Sequence, residues 1–237
     1  MYIYQLGTAF DFPPADLALQ DGMLAIGGDL NPLRLIRAYA KGIFPWYEEG
    51  QPILWWSPDP RMTLNLSELY VSKSLKKILR DEIFEVRFDT DFKNVINACA
   101  RTKRNGAAGT WITTDLRDSF MDLHKMGLAH SVEAYRENKL VGGLYGLSLG
   151  SVFFGESMFH REDNASKVAF VYLIRFLQHN DFDLIDAQQD TDYLRSFGGK
   201  TMKRRDFLRL LETFTSKPGL IGNWNSNDCK REITSFN

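Results

Sequence analysis

Between Trp46 and Trp56 the chain places three of its five tryptophans in eleven residues, framed by Gly42-Ile43-Phe44-Pro45-Trp46 and by Pro52-Ile53-Leu54-Trp55-Trp56-Ser57-Pro58-Asp59-Pro60-Arg61. Proline fixes φ and removes a backbone donor, so this stretch is expected to be neither a helix nor a central strand. Rings on such stiff, irregular backbone can present flat faces to a ligand; packed together, they can equally form a small tryptophan-cornered core. Both readings stay open on this stretch alone.

The remainder of the chain is patterned more regularly. Asn31 as N-cap, Pro32 at the first helical position, apolar Leu33, Leu35, Ile36 and Tyr39, and Gly42 beyond the end mark a helix of about ten residues. From Arg61 onward strands and helices alternate. Phe84 to Phe88 is strand-like, Asp91 to Ala100 and Thr114 to Met126 are helical, and His130 to Arg136, Lys139 to Ser148 and Ser151 to Phe159 are successive strands. Turns at Glu137-Asn138 and near Gly150 suit antiparallel hairpins. A helix from about Ala165 to His179, a strand from Asp183 to Gln188 and an amphipathic helix carrying Phe207, Leu208, Leu211 and Phe214 follow. The expected class is α+β, in mixed α/β layers, with residues 1–59 as a small N-terminal domain and 60–237 as the larger one.

Several function classes lose support from composition. No run approaches the roughly 18 apolar residues of a membrane span, and the first residues show no basic leader, so a cytoplasmic protein is expected. Cys99 and Cys229 are the only cysteines and four histidines are scattered, which gives neither a disulfide framework nor a metal-ligand spacing. No cofactor is expected. A net charge of −1 excludes a protein basic all over, yet cations cluster locally. Lys73, Lys76, Lys77 and Arg80 fall at i, i+3, i+4 and i+7, opposite Leu75, Ile78 and Leu79. Arg101, Lys103 and Arg104 form a second group, and Lys200, Lys203, Arg204, Arg205 and Arg209 a third. Each suits a solvated face; together they suit a polyanionic partner.

Two strands carry candidate chemistry. In Leu184-Ile185-Asp186-Ala187-Gln188, period two turns Asp186 and Gln188 to one face. Glu156 lies in an otherwise apolar strand beside Gly155, a position suited to a bulge that re-aims its neighbours. A turn-capping Asp186, and a Glu156 paired with Lys167 or an arginine, remain as alternatives.

These motifs occur in a recognisable order. Gly27-Gly28-Asp29-Leu30, the Gly42 to Trp46 and Leu54 to Arg61 stretches, Gly109-Thr110-Trp111-Ile112-Thr113, Ala129-His130-Ser131-Val132-Glu133, Leu140-Val141-Gly142-Gly143-Leu144-Tyr145-Gly146, Gly155-Glu156-Ser157-Met158-Phe159 and Asn164-Ala165-Ser166-Lys167 together resemble the leucyl/phenylalanyl-tRNA-protein transferases. The resemblance runs from about residue 20 to about residue 210. It implies a C-terminal domain with the GNAT-type acyltransferase fold. It also implies transfer of Leu or Phe, less often Met, from aminoacyl-tRNA to proteins beginning with Arg or Lys, marking them for degradation.

By the same resemblance, Asp186 and Gln188 are the catalytic pair, Asp186 binding or deprotonating the incoming amine and Gln188 hydrogen-bonding the reacting group; with Glu156 as a third catalytic candidate, Asp186 and Glu156 also suit the acceptor's basic side chain. Leu144, Phe153, Met158, Phe170, Leu173 and Ile185 form the aminoacyl pocket, with Leu177 nearby. Trp46 and Trp111 meet the 3′-terminal adenosine, whereas Trp55 and Trp56 are read as structural. Lys73, Lys76, Lys77 and Arg80 become the first candidates for tRNA phosphates, Arg204 and Arg205 the second. Two rivals are an acetyl-CoA-dependent acetyltransferase and a non-catalytic tRNA-binding module. Against the first, the nearest pyrophosphate-type string, Arg195-Ser196-Phe197-Gly198-Gly199-Lys200, has no helix signal directly after it.

Overall fold

The computed structural model describes residues 2–102 and 111–225. Lys103, Arg104, Gly109, Thr110 and Cys229 lie outside the described residues.

The first sixty residues build a four-stranded sheet from β1 (Tyr4–Leu6), β2 (Met23–Gly27), β3 (Phe44–Pro45) and β4 (Leu54–Trp56), in the order β1-β2-β4-β3. Helix α1 (Pro32–Ala40) sits in the middle of this unit, capped by the Asn31 side chain on Leu33 N–H and ended by Gly42 at φ +72°. The expectation of no central strand in the tryptophan-rich stretch is corrected here, because β4 pairs with both β2 and β3. It escapes the proline rule by being three residues long: Pro52 and Pro58 bound the strand without entering it, and Pro45 lies on the edge strand β3.

The larger sheet has seven strands in the order β11-β5-β10-β9-β8-β7-β6: β5 (Arg61–Asn65), β6 (Glu85–Phe88), β7 (Ala129–Arg136), β8 (Lys139–Leu149), β9 (Val152–His160), β10 (Leu184–Gln188) and β11 (Lys200–Met202). All its pairings are antiparallel except β9 with β10. That parallel pair requires a crossover, which α5 (Ala165–His179) supplies. The remaining helices are α2 (Lys73–Arg80), α3 (Phe92–Arg101), α4 (Thr114–Lys125), the short α6 (Asp192–Arg195) and α7 (Arg204–Thr215).

Period-two alternation assigns the sheet's two faces to different cores. Tyr145, Leu147, Phe154 and Leu184 join α1, α3, α4 and α7 in one apolar cluster. Leu144, Phe153 and Ile185 join α2 and α5 in the other. The first cluster also contains Leu24, Trp55 and Leu35, so the small sheet and the large one share a core. Their junction is fastened by Arg61, whose Nη1 donates to the Gly42 carbonyl, and by Arg204, which donates through Nη1 to the Ser57 carbonyl and through Nη2 to that of Asp16.

Candidate functional site

Both strands of the parallel pair lose their alternation at the same level. Opposite β8, Tyr145 pairs with Ser157 and Gly146 with Gly155, leaving Glu156 as the extra residue of a bulge. Opposite β5, Asp186 pairs with Thr63 and Gln188 with Met62, leaving Ala187 extra. Gln188 has φ +63°, a conformation that a non-glycine residue adopts only when its surroundings hold it there. Paired bulges of this kind re-aim side chains out of the sheet's regular pattern.

The consequence is a division of labour that simple alternation does not give. Asp186 and Gln188 do not share a face. Asp186 is fully buried and bound in a bidentate ion pair, with Arg61 Nε 2.8 Å from Oδ1 and Nη2 2.6 Å from Oδ2. The guanidinium lies between the rings of Phe44 and Phe207, at 4.9 and 4.7 Å from their centroids. Asp186 Oδ1 also accepts the Gln188 backbone N–H at 2.9 Å, which helps hold that residue's unusual backbone. The Gln188 side chain turns elsewhere, its Nε2 donating to Glu156 Oε1 at 2.7 Å. Tyr39 Oη donates to the same oxygen at 2.8 Å. Asp186 is therefore corrected from a group facing the ligand to a buried support behind Gln188, and it does not line the cavity. Glu156 is held by Tyr39 and Gln188, and not by Lys167.

Glu156, Gln188 and their neighbours line a cavity of about 1190 Å³. Loss of water around Glu156 is the main reason its carboxyl is pushed up to about 7, outweighing the hydrogen bonds from Tyr39 and Gln188 that favour its charged form. Burial likewise raises the Tyr39 hydroxyl, with the negative charge of Glu156 adding to the effect. The pair therefore keeps its proton on Tyr39, as a donor to Glu156.

All six residues expected to form an apolar pocket line this cavity: Leu144, Phe153, Met158, Phe170, Leu173 and Ile185. Leu177 is buried but does not. Trp46 and Trp111 line it too. Trp55 and Trp56, read alike from sequence, separate by alternation along β4. Trp55 is buried and donates its indole N–H to the Gly27 carbonyl, whereas Trp56 faces the cavity, edge-on to Trp46 at 5.7 Å. Trp56, together with Tyr193 and Leu194 on α6, was missed by sequence reasoning, although a period-two reading of Leu54-Trp55-Trp56 would have separated the two indoles.

Outside the cavity, Lys73, Lys76, Lys77 and Arg80 stand exposed along α2, while Leu75 and Leu79 are buried beneath them. None of the four cations forms an ion pair among the described residues. Arg204 departs from its expected place facing phosphates, since two of its nitrogens are held by backbone carbonyls at the sheet junction. Arg205 is exposed and lies 3.6 Å from Asp206. The string Arg195 to Lys200 leaves α6 and runs into β11, and a Cβ at Gly198 would stand 2.3 Å from the Glu68 carbonyl oxygen. That glycine is needed for close packing of backbone on backbone. Among the described residues there is no cluster of side chains able to hold a metal ion, and no helix long and apolar enough to cross a membrane.

The family model described as leucyl/phenylalanyl-tRNA protein transferase matches residues 63–212, and the model of that family's N-terminal domain matches residues 28–59. The chain is 56% identical over 213 residues to the leucyl/phenylalanyl-tRNA–protein transferase of Pseudomonas aeruginosa, covering 89% of this chain and 94% of the relative. It is 48% identical over 227 residues to that of Syntrophus aciditrophicus, covering 96% and 95%. Among solved structures, L-PGS from Bacillus licheniformis aligns at 10% identity and a TM-score of 0.40, over 73% of this chain and 57% of that one, too distant to bear on function. An α+β chain with a small N-terminal domain, it belongs to the leucyl/phenylalanyl-tRNA protein transferase family.

Proposed function

We propose that the protein transfers Leu or Phe, and less often Met, from aminoacyl-tRNA to the α-amino group of proteins beginning with Arg or Lys, marking them for degradation in the cytoplasm. Residues 1–59 form the small domain, and 60–237 a GNAT-type acyltransferase domain. The observation that carries this reading is one cavity with an apolar wall, indole rings and a hydrogen-bonded carboxylate–amide pair.

Each part answers a requirement of the reaction. An α-amino group with a pKa near 7.7 to 8.0 is roughly one-tenth neutral at pH 7, at a cost of about 1.4 kcal/mol, so a strong base is unnecessary. The tRNA ester is already activated, and the chemistry reduces to orientation, proton acceptance and charge stabilisation. The amine nitrogen bonds to the ester carbonyl carbon, the carbon–oxygen bond to the terminal ribose breaks, and the amine's proton ends on the departing ribose oxygen. Gln188 donates to Glu156, which turns its amide oxygen to accept an N–H from the incoming amine. Among the described residues both hydrogen bonds to Glu156 fall on Oε1, leaving Oε2 for the amine or for the acceptor's basic side chain. Asp186 acts from behind, with Arg61, by holding the Gln188 backbone.

Leu144, Phe153, Met158, Phe170, Leu173 and Ile185 take the acyl side chain, and shape does the selecting, since one methylene is worth only about 1 to 3 kcal/mol. Trp46, Trp56 and Trp111 offer ring faces or edges to the terminal adenine; a stacked base contributes about 1 to 3 kcal/mol. The exposed cations of α2 meet tRNA phosphates, with Arg205 as a further contact.

The test is peptide transfer: labelled Leu-tRNA and an Arg-initiated peptide, against labelled acetyl-CoA and the same peptide. Label should enter the peptide from Leu-tRNA alone, and Gln188→Ala should abolish most of it while tRNA still binds. Transfer of acetyl, or of neither group, overturns the reading.

A further inference from the structure

We infer that Trp224, on the segment following α7, is a positioning residue for the aminoacyl pocket: it holds the ring of Phe153 and thereby sets the width of the chamber that selects the acyl side chain. This rests on the aminoacyl-transfer reading above. Trp224 itself does not line the cavity, whereas Phe153 does. It also lies beyond the stretch matched by the family model, which ends at residue 212.

The indole is seated with more constraint than packing alone requires. It is 1% exposed and stacks on His130, with ring centroids 3.6 Å apart and planes within 4°. Its backbone N–H donates to Asp89 Oδ2 at 2.8 Å, the same oxygen that lies 2.8 Å from His130 Nδ1. Asp89 Oδ1 accepts the Ser131 N–H, so one buried carboxylate ties the segment to β7. Upstream, Gly222 N–H donates to the Gly127 carbonyl, and a Cβ at Gly127 would stand 2.5 Å from Gly222 N. These contacts fix the indole in position and orientation.

From that seat Trp224 meets Phe176 at 4.6 Å and Phe153 at 6.0 Å between ring centroids. Phe153 is confined a second time by β8, where a Cβ on Gly146 would fall 2.5 Å from Phe153 Cζ. Two contacts thus pin one ring of the pocket wall, and interiors packed this closely pass a displacement on to the next side chain. Removing the indole opens space into which Phe153 can retreat, which widens the chamber and favours the larger acyl group.

The experiment measures kcat/KM for Phe-tRNA and Leu-tRNA with the full chain, and reads their ratio, which does not depend on how much of the preparation is folded. Trp224→Ala should raise the Phe-to-Leu ratio by about tenfold, and Trp224→Phe should restore the wild-type ratio. Should Trp224→Ala fail to fold, Trp224→Leu supplies the same comparison. A wild-type enzyme that transfers both amino acids, with a ratio unchanged or moved toward Leu in the folded variant, overturns the inference alone. A wild-type enzyme that transfers neither removes the function on which it rests.

Discussion

Replacing Asp186 with Ala should damage the fold before it says anything about catalysis. Arg61 and Asp186 both have fully buried side chains, and among the described residues the substitution leaves the guanidinium with only the Gly42 carbonyl and two aromatic rings. Stranding a buried charge by removing one partner costs about 3 to 5 kcal/mol. For a chain of this size that corresponds to a drop in Tm of about 6 to 20 °C, at about 2 to 4 °C per kcal/mol. The companion is Arg61→Met with Asp186→Val, because an apolar pair of similar volume is often neutral or stabilising in place of a buried ion pair. The remaining penalty is then the Gly42 carbonyl without its donor, about 1 to 3 kcal/mol. Urea unfolding followed by tryptophan fluorescence should order the proteins as parent, double variant, single variant. Transfer should stay low in the double variant, since Gln188 N–H has lost its acceptor. A single variant that loses less than about 1 kcal/mol, or a double variant no more stable than the single, refutes the reasoning.

Glu156, with its carboxyl pushed up to about 7 by burial, should control the acid limb of the pH profile. Transfer should rise with pH through about 7 as the carboxylate forms, and Glu156→Gln should lose that inflection while keeping the amine's own near 8. Stability runs the other way: a raised carboxyl contributes most below its ordinary value of 4.5 and loses that contribution as pH climbs through about 7, so Glu156→Gln should unfold with a flatter pH dependence over that window. A variant that retains the inflection near 7 assigns it to a group other than Glu156. Reversing Lys73, Lys76, Lys77 and Arg80 to Glu should weaken intact Leu-tRNA and reduce the salt slope of binding by about 0.9 for each lost phosphate contact to duplex. A short aminoacyl-adenosine should bind as before; equal weakening of both ligands would relocate the phosphate site.

Much of this was legible in the sequence where one local rule acts alone. The Asn31-Pro32 start and Gly42 end bound α1, the apolar run Ala165 to His179 is α5 residue for residue, and the cationic stripe of α2 is exposed as its spacing requires. Glycine beside Glu156 does accompany a bulge. What was illegible depends on partners distant in the chain. Arg61 and Asp186 are 125 residues apart, and no local pattern signals that one neutralises the other. The strands of the small sheet are two to five residues long, too short to stand out as strands in the sequence, although once β4 is known its alternation does separate Trp55 from Trp56. Alternation misplaced Asp186 relative to Gln188 because one extra residue, Ala187, resets the phase. Arg204 reads as a surface cation in a basic run, but backbone carbonyls recruit it inward.

The carbonyls gripped by Arg61 and Arg204 also bear on timing. A hinge needs slack between its leaves, and here two guanidinium groups of the larger unit, those of Arg61 and Arg204, grip three carbonyls of the smaller one. The substrates of the proposed reaction are then expected to dock into a vestibule assembled beforehand, without one half of the protein swinging over the other. Occupied and empty forms should accordingly superimpose.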